Sequence, residues 1–378
     1  MDTYAATRPF RFFDNREKYL LFVTTCSEKW VIAERVGMEL KYLQPVPPAL
    51  RVFDAGMGDA TVLSQVMRQL HHRFPTIPFL IVGKEISQED VRISLEKMAD
   101  RFYEHPQTVL VVTNLFYGEA PGLFPRSVAM QAKLNWWDVP LLGTSAYEFD
   151  RQIKDLQAYL REGWQTTTSA RTGNPVYVTP SVLILYRADQ QFVLESIIPQ
   201  QGQHHPTYDL VIASQPFRAR LPADIKVRNV LAPLASALAP GGRMITVQST
   251  GKDPGMEIIR KIWPDENPFQ TSRRVLLKQL RTQLQPAQPD LHYHHSTNQR
   301  AEFSYTMHMH PTEISSSIGT STLLAAWNAA IYVAQIEDDR VHEAMSRGDY
   351  LHATQDVLRK YQALWFTDES FVVTRQRP

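Results

Sequence analysis

Apolar residues recur between residues 50 and 114 in an order that predicts alternating strands and helices. Three short runs, at 50–53, 78–83 and 109–112, are dominated by apolar side chains, as buried strands are. The stretches between them place apolar residues three and four positions apart, which is typical of one helix face: Leu63, Val66, Met67 and Leu70, then Val91, Leu95 and Met98. Strands joined by helices predict a parallel sheet covered on both faces, with right-handed crossovers.

Residues 115–206 interrupt this alternation. They contain the sequence Trp136-Trp137-Asp138, a predicted helix at 146–164, and a predicted hairpin with strands at 181–186 and 191–198. We therefore expect an inserted subdomain at 115–206 that caps the sheet and contributes to a substrate pocket.

The alternation resumes after the insertion. The pattern predicts a strand at 208–212, a helix at 227–238, a turn at 240–242 and a strand at 244–248. Further predicted elements are a helix that begins at Pro254 and helices at 273–284, 321–335 and 352–364. Strands are predicted at 302–310 and 371–375. The core is thus expected in residues 49–114 and 207–378, with a helical block at 318–365 before the last strand.

The first 48 residues are expected to form an arm and a helix. An aromatic-rich segment at 4–13 precedes Thr25-Cys26-Ser27-Glu28, which has the spacing of a capping box. This motif predicts a helix from there to about Leu43, where prolines follow.

Composition narrows the class of protein. The 378 residues hold 40 Lys and Arg against 39 Asp and Glu, and a net charge of +1 argues against a nucleic-acid partner. Cys26 is the only cysteine, which excludes an intrachain disulfide and a zinc site of several thiolates. The sequence shows no signal-peptide pattern and no apolar run that could span a membrane, so we expect a cytoplasmic protein without a membrane partner.

The loop after the first predicted strand holds the main candidate chemistry. Asp54 ends the strand, and Gly56 and Gly58 let the backbone turn tightly enough for a ligand to approach it without meeting a Cβ atom. The dinucleotide fingerprint Gly-x-Gly-x-x-Gly requires a third glycine where this chain has Thr61, which disfavours a nicotinamide dehydrogenase. The glycines could also serve only a tight turn.

The segment from Asp54 to Ala60 resembles motif I of the class I S-adenosylmethionine-dependent methyltransferases, acid-x-Gly-x-Gly-x-Gly, with Ala60 in place of the last glycine. Four later pieces are similar to the same family and follow in its order: Glu85 after the second strand, Asn114 after the third, the fourth strand at 208–212, and the turn at 240–242 before the fifth. The resemblance implies an α/β fold: a doubly wound, mostly parallel, seven-stranded sheet, here with an α+β insertion and extra C-terminal helices.

The resemblance also implies S-adenosylmethionine as cofactor and S-adenosylhomocysteine as its product. In such a site Glu85 would accept hydrogen bonds from the ribose hydroxyls, and Asn114 would contact the adenine amino group. Each residue has a simpler alternative, a solvated strand end for Glu85 and turn chemistry for Asn114. The candidate cofactor-binding residues are Asp54, Gly56, Met57, Gly58, Glu85, Ile86, Asn114 and Leu115.

The methyl acceptor is less clearly marked, and the sequence identifies no catalytic residue. Methyl transfer needs an aligned acceptor more than a strong base. The candidate substrate-binding residues Ser214, Gln215, Pro216 and Phe217 resemble the Asp/Asn/Ser-Pro-Pro-Tyr/Phe motif of methyltransferases that act on planar nitrogens, although Gln215 replaces the first proline. Trp136 and Trp137 are candidates for a pocket wall, with simple packing as the alternative.

The sequence thus predicts a methyltransferase that acts on a small-molecule acceptor, with nitrogen favoured. A protein or RNA methyltransferase and a non-catalytic S-adenosylmethionine-binding protein are the alternatives, and the oligomeric state is open, a homodimer included. No metal is expected, because the histidines fall in two separate polar segments: His292, His294 and His295, then His308 and His310.

Overall fold

The computed structural model describes residues 16–170, 173–203, 207–310, 313–314 and 318–377. The aromatic segment at 4–13 lies outside the described residues. Within them, none of the helices has the length and apolar character that a membrane span requires.

The described strands form one large sheet and one small one. The strands are β1 (Leu50–Asp54), β2 (Phe79–Lys84), β3 (Thr108–Thr113), β4 (Asn135–Leu141), β5 (Thr166–Thr168), β6 (Pro175–Tyr177), β7 (Ser181–Arg187), β8 (Tyr208–Ser214), β9 (Leu238–Ser249), β10 (Leu291–His294), β11 (Glu302–Thr306) and β12 (Trp365–Arg375). The large sheet has the order β10-β12-β9-β8-β1-β2-β3-β7-β4, with β11 paired to β12, and β5 pairs with β6 separately.

The centre of the large sheet has the predicted topology. The strands β3, β2, β1, β8 and β9 run parallel, whereas β12 is antiparallel to β9 and β10 is antiparallel to β12. These seven strands form the doubly wound, mostly parallel sheet that the family resemblance implied, so the predicted fold class is confirmed. The insertion and the C-terminal region add three further strands to it.

Helices cover both faces of this sheet. They are α1 (Arg16–Thr25), α2 (Glu28–Leu40), α3 (Thr61–Arg73), α4 (Gln88–Glu96), α5 (Ala99–Glu104), α6 (Val128–Gln131), α7 (Ala146–Asp155), α8 (Gln157–Gly163), α9 (Gln191–Leu194), α10 (Ala223–Lys226), α11 (Ala232–Ser236), α12 (Pro254–Ile262), α13 (Arg273–Leu284), α14 (Asn298–Ala301), α15 (Thr320–Val333), α16 (Asp338–Arg347) and α17 (Asp349–Tyr361). A π-helical turn, Val227–Leu231, joins α10 to α11.

Neighbouring strand residues enter separate hydrophobic cores on the two faces of the sheet. In β1, Phe53 packs in the core that includes α11 and α13, whereas Val52 packs in the core that includes α2 and α3. Burial on both faces explains why the parallel strands read as apolar runs rather than as an alternating pattern. A third core joins α1, α12, α15 and α17, which gives the predicted helical block its own hydrophobic centre.

The insertion extends the main sheet instead of forming a separate layer above it. Strand β7 pairs antiparallel with β3, and β4 pairs parallel with β7. Every residue of β7 is buried, so this strand requires neighbours on both edges and both faces. The small sheet of β5 and β6 also belongs to the insertion.

The predicted hairpin is wrong in its second strand. Residues Gln191–Leu194 form a short helix rather than a strand. Leu194, Ile197 and Ile198 are buried at helical spacing, whereas Phe192 is 89% exposed. The apolar residues therefore follow a three- and four-residue period, which the sequence interpretation read as a strand.

Two local predictions near the ends of elements are also wrong. Thr25 does not open a helix but ends α1, and its hydroxyl donates to the Leu21 carbonyl at 2.6 Å. The turn predicted at 240–242 lies inside β9, where it forms an irregularity in the pairing with β8. Gly242 is required there because a Cβ atom would stand 2.5 Å from the Tyr208 carbonyl oxygen.

Candidate functional site

The carboxyl ends of four parallel strands bring most of the predicted site residues to one edge of the sheet. Asp54 ends β1, Glu85 follows β2, Asn114 follows β3, and Ser214 ends β8. The pairing of β1 with β2 and with β8 aligns these ends. Open α/β sheets bind ligands at this edge.

The glycine loop presents a bare stretch of backbone at that edge. Gly56 is exposed although its neighbours Ala55 and Met57 are buried. A Cβ atom on Gly56 would meet no atom of the described residues closer than the Ser214 carbonyl oxygen at 3.8 Å. Packing among the described residues therefore does not require glycine here, and the bare backbone leaves room for a ligand to lie against the chain.

Ala60 adopts the backbone conformation that a glycine would favour. Its φ angle is 58°, in the left-handed region, at the residue before α3. This geometry explains why a glycine suits the position. Ala60 adopts it at a cost of about 1–2 kcal/mol in backbone strain.

The Glu85 carboxylate joins two loops of the site. One oxygen accepts the Gly58 N–H at 2.9 Å, and the other accepts the N–H groups of Ile86 and Ser87 at 2.7 and 2.8 Å. The carboxylate thereby fixes the glycine loop against the end of β2. It is half-buried, with part of its surface still accessible.

A cavity of about 240 Å³ begins at Ile86, the residue after Glu85. Its walls include Ile86 and Ser87 of the loop after β2, Trp164 and Thr166 of the insertion, and Tyr19 of α1. The Trp164 indole N–H donates to the Glu85 carbonyl oxygen at 2.9 Å, which holds the ring at the cavity. A larger depression of about 530 Å³ lies around Tyr186 and Phe192, near the far end of β7.

Tyr19 and Trp164 are site residues that the sequence interpretation missed. The Tyr19 hydroxyl donates to Asp59 at 3.0 Å, so α1 closes over the glycine loop. Asp59 also accepts from Lys97 at 2.7 Å and from the Thr61 hydroxyl at 2.5 Å. No local motif marks Tyr19 or Trp164, because both reach the site through long-range packing.

Asn114 and Leu115 lie inside the protein. The Asn114 amide donates to the carbonyls of Gly163 and Thr179, each at 2.9 Å, and its oxygen accepts the Ser181 N–H at 2.8 Å. These bonds fix the segments on either side of Trp164. Leu115 is fully buried in a hydrophobic core. The adenine contact expected of Asn114 stays a prediction, and the observed role of its side chain is to position the cavity wall.

The loop Ser214–Phe217 after β8 holds the candidate substrate-binding residues and is called the acceptor loop below. Aromatic and cationic side chains surround it. Gln215 has a φ of 46°, an unusual value for a residue with a side chain. The Tyr117 hydroxyl donates to the Pro216 carbonyl oxygen at 2.7 Å, and Lys84 lies 4.8 Å from the Tyr117 ring centre. Phe217 is buried, with the Lys226 ammonium 4.9 Å from its ring centre.

The tryptophan pair lies two strands away from the core of the site. Trp136 and Trp137 stand on β4, which β7 separates from β3. The two side chains pack against opposite hydrophobic cores, and the Trp137 ring centre is 3.8 Å from that of Tyr159. Neither residue lines the cavity that begins at Ile86. A substrate role for them stays a prediction.

The histidines form hydrogen bonds along the sheet edge. His292 pairs with Gln376 at 3.1 Å, and His294 pairs with Thr374 at 2.9 Å, both between β10 and the end of the chain. Across the described ranges, no group of three or more His, Cys, Asp or Glu side chains could hold a metal ion.

Asp54 is the most strongly perturbed acid of the glycine loop. Burial raises the pKa of Asp54 to about 7, and the nearby Glu85 acts in the same direction. The Gly56 N–H, 3.2 Å from one carboxylate oxygen, and the Lys29 ammonium act in the opposite direction. The site thus holds a carboxylate whose charge is costly in the absence of a further cation or hydrogen-bond donor.

We expect Asp54→Asn to stabilise the protein more at pH 8 than at pH 5. Because the folded-state pKa is raised to about 7, the folded protein keeps a proton that the unfolded chain loses from about pH 4 upward. Wild-type stability therefore falls as pH rises through this window, and the variant avoids that loss. The gain in free energy of unfolding should be about 2 kcal/mol larger at pH 8 than at pH 5, measured by urea denaturation.

Asp59→Asn is the matched control for this experiment. Burial alone would raise the pKa of Asp59, but the bonds from Lys97 and Thr61 outweigh it and lower the pKa. The charged form of Asp59 is already stabilising at pH 5, so its replacement should cost similar stability at both pH values. Equal gains for Asp54→Asn at pH 5 and pH 8 would contradict the assignment of a raised pKa.

Comparison with known proteins gives only distant similarity. No protein-family model matches the sequence, and no curated protein matches it either. Solved structures of methyltransferases are similar to it. A loganic acid methyltransferase with S-adenosylhomocysteine has 8% identity and a TM-score of 0.36, over 93% of this chain and 92% of that chain.

Two further structures are similar at the same level. A geranyl diphosphate methyltransferase in complex with S-adenosylmethionine has 12% identity and a TM-score of 0.33, over 91% of this chain and 85% of that chain. Haemonchus contortus phosphoethanolamine N-methyltransferase 2, with phosphomonomethylethanolamine and S-adenosylhomocysteine, has 10% identity and a TM-score of 0.33, over 91% and 53% of the two chains.

Proposed function

We propose that this protein is an S-adenosylmethionine-dependent methyltransferase that acts on a small-molecule acceptor, with nitrogen as the favoured methyl acceptor. One observation carries the proposal. Gly56 is exposed between buried neighbours, at the sheet edge where the Glu85 carboxylate bonds the glycine loop, and a cavity lies beside the residues that directly follow Glu85. Bare backbone, a carboxylate and an adjoining cavity are the parts that a nucleoside with a short polar tail requires.

The residues present fit such a ligand. An ionised carboxylate offers about four acceptor sites, and three backbone N–H groups occupy three of those of Glu85. One site is therefore free for a ribose hydroxyl. The cavity of about 240 Å³ is smaller than the roughly 300–1,000 Å³ of pockets for whole drug-sized ligands. It suits the adenine and ribose alone, with Trp164 and Ile86 as apolar walls.

Each part of the chain has a defined task in this proposal. S-adenosylmethionine supplies a methyl group on a sulfonium, and the protein aligns the acceptor with it and excludes water. Glu85 and the cavity would hold the nucleoside, and the backbone at Gly56 would contact the rest of the cofactor. Tyr117 and Phe217, at the acceptor loop, would orient the acceptor and keep water out.

Two observations support a small acceptor with a nitrogen. The balanced charge of 40 basic against 39 acidic residues provides no excess of cations for a nucleic-acid backbone. The loop Ser214–Phe217 follows β8 directly, and its residue types resemble those of enzymes that methylate planar nitrogens.

Calorimetric titration tests the proposal. S-adenosylmethionine and S-adenosylhomocysteine should each bind wild type with one site per chain and micromolar dissociation constants. NAD and ATP, titrated in parallel, should bind at least a hundredfold more weakly. No heat of binding with either methionine-derived ligand at millimolar concentration would overturn the proposal, as would preferential binding of NAD.

A further inference from the structure

A buried polar cluster lies behind the acceptor loop and, apart from the effect of Lys29 on Asp54, has no role in the site described so far. It consists of Glu28 at the start of α2, Lys29 next to it, Tyr305 on β11 and Asp368 on β12. Glu28, Tyr305 and Asp368 are 5%, 1% and 0% exposed. Three elements distant in sequence thus place ionisable groups together beside the carboxyl edge of the sheet.

Three polar atoms of this cluster have no hydrogen-bond partner among the described residues. Oε2 of Glu28 is in an ion pair with Lys29 at 3.1 Å, whereas Oδ1 of Asp368 and the hydroxyl of Tyr305 have neither a hydrogen bond nor an ion pair there. Leaving a buried polar atom unpaired costs about 1–3 kcal/mol, so native proteins satisfy most such atoms. Two orphaned atoms in one cluster indicate a place where a ligand atom supplies the missing bonds.

The charges of the cluster specify what kind of ligand atom that is. Besides burial, the negative charges of Glu28 and Asp253 raise the pKa of Asp368, and the positive charge of Lys29 lowers it. Lys29 lies 3.1 Å from Glu28, and its charge also acts on Asp54 and Asp59. Lys29 thus serves several carboxylates at once, and a further hydrogen-bond donor or positive charge near Asp368 would complete the site.

Gln215 connects this cluster to the acceptor loop. Its side-chain amide donates to Oδ2 of Asp368 at 3.3 Å and to the Ser249 hydroxyl at 2.9 Å. The left-handed backbone of Gln215 directs the side chain there, at a strain that proteins keep mainly at functional sites. Gln215 is half-buried, so it lies between Asp368 and the more accessible side of the loop.

We propose that Asp368 binds the amino group of an amine acceptor and takes its proton during methyl transfer, with Gln215 as a positioning residue. This inference rests on the proposed function. The nitrogen lone pair forms the new C–N bond while the C–S bond of the sulfonium breaks and its electron pair stays on sulfur. One N–H proton passes to the Asp368 carboxylate, so the products are the methylated amine and S-adenosylhomocysteine.

Burial and the neighbouring Glu28 support this role for Asp368. Both raise the pKa of Asp368 well above its ordinary range. A carboxylate with a raised pKa is a better proton acceptor at neutral pH than a solvated one.

The test uses matched substrates and a matched variant. Wild type, Asp368→Asn and Asp209→Asn are assayed for S-adenosylhomocysteine release with primary amines, and with the alcohols and carboxylic acids of the same carbon skeletons, including 2-phenylethylamine, 2-phenylethanol and phenylacetic acid. Asp209 is the control because it is also a buried aspartate on a strand, but it lies at the start of β8 and accepts the Arg51 backbone N–H at 2.8 Å. The side-chain carbonyl of asparagine can still accept that bond.

We expect turnover with amines alone. Asp368→Asn should lower amine turnover at least thirtyfold and keep the dissociation constant of S-adenosylhomocysteine within threefold of wild type, while Asp209→Asn keeps both within threefold. Turnover of alcohols or acids alone, no turnover of any amine by a wild type that binds S-adenosylhomocysteine, or an active Asp368→Asn would overturn the inference. Absence of S-adenosylhomocysteine binding to wild type would instead overturn the proposed function.

A second variant keeps the test decisive if Asp368→Asn does not fold. Gln215→Leu leaves Asp368 in place and removes the amide bonds to Asp368 and to the Ser249 hydroxyl. We expect a three- to tenfold loss of amine turnover and a shifted pH profile, with Gln215→Asn closer to wild type. An unchanged pH profile in Gln215→Leu would contradict the positioning role.

Discussion

Gly56→Ala is expected to weaken S-adenosylhomocysteine binding at least a hundredfold while leaving the protein as stable as wild type. The added Cβ atom finds only the Ser214 carbonyl oxygen, at an ordinary contact distance of 3.8 Å. The free energy of unfolding should therefore change by less than about 0.5 kcal/mol. A ligand that lies against the Gly56 backbone would meet the methyl group directly, and a loss of about 2.7 kcal/mol corresponds to a hundredfold. Calorimetry and urea denaturation measure the two quantities on the same samples.

Gly122→Ala is the matched control for this substitution. Gly122 also has open space at the position of a Cβ atom, and it follows Pro121, whose carbonyl accepts from Tyr208 at the opposite end of the sheet. It should change neither binding nor stability. If Gly56→Ala bound S-adenosylhomocysteine as tightly as wild type, the glycine loop would not be the cofactor site.

Arg273→Met is expected to lower the free energy of unfolding by about 3–5 kcal/mol, the largest stability change that the structure suggests. Arg273 and Glu369 are both buried, and Nη1 of Arg273 lies 2.7 Å from a Glu369 oxygen. Glu369 also accepts the Arg273 backbone N–H at 2.7 Å and the Gln248 amide at 2.8 Å. Methionine preserves much of the side-chain volume but leaves a carboxylate buried without its cation. Urea denaturation followed by circular dichroism measures the loss.

Lys154→Met provides the comparison with an exposed ion pair. Lys154 pairs with Asp150 at 2.6 Å on the surface of α7, where solvent screens the interaction. Its replacement should cost less than about 0.5 kcal/mol. A cost below 1 kcal/mol for Arg273→Met would contradict the assignment of Arg273 and Glu369 as a stabilising buried ion pair.

Much of the central fold was predictable because it depends on local pattern. The apolar runs at 50–53, 78–83 and 109–112 are β1, β2 and β3, and the strand and helix predicted at 208–212 and 273–284 are β8 and α13. Burial on both faces of a parallel sheet leaves a clear signature in each strand separately. The acid after β2 and the glycines after β1 could be located for the same reason.

The rest depends on contacts between residues far apart in the chain. The pattern of apolar and polar residues in the insertion does not indicate which strand β7 pairs with. The bonded residues Thr113 and Ser181 are 68 positions apart in the sequence. The cavity wall depends on that pairing, because Asn114 holds the segments around Trp164. The cluster of Glu28 and Asp368 likewise joins the start of α2 to the last strand. Periodicity reports burial within one element and cannot report such a juxtaposition.

The pairing of β7 with β3 also determines what would happen if residues 115–206 were removed from the chain. Strand β3 is entirely buried, with the sequence Thr-Val-Leu-Val-Val-Thr. Without residues 115–206 it would become a sheet edge of unpaired, strongly β-forming backbone, which is the type of surface through which proteins aggregate. The insertion therefore covers the edge of β3 as well as forming a wall of the cavity. We expect a shortened chain without it to lose the cavity wall and also to self-associate.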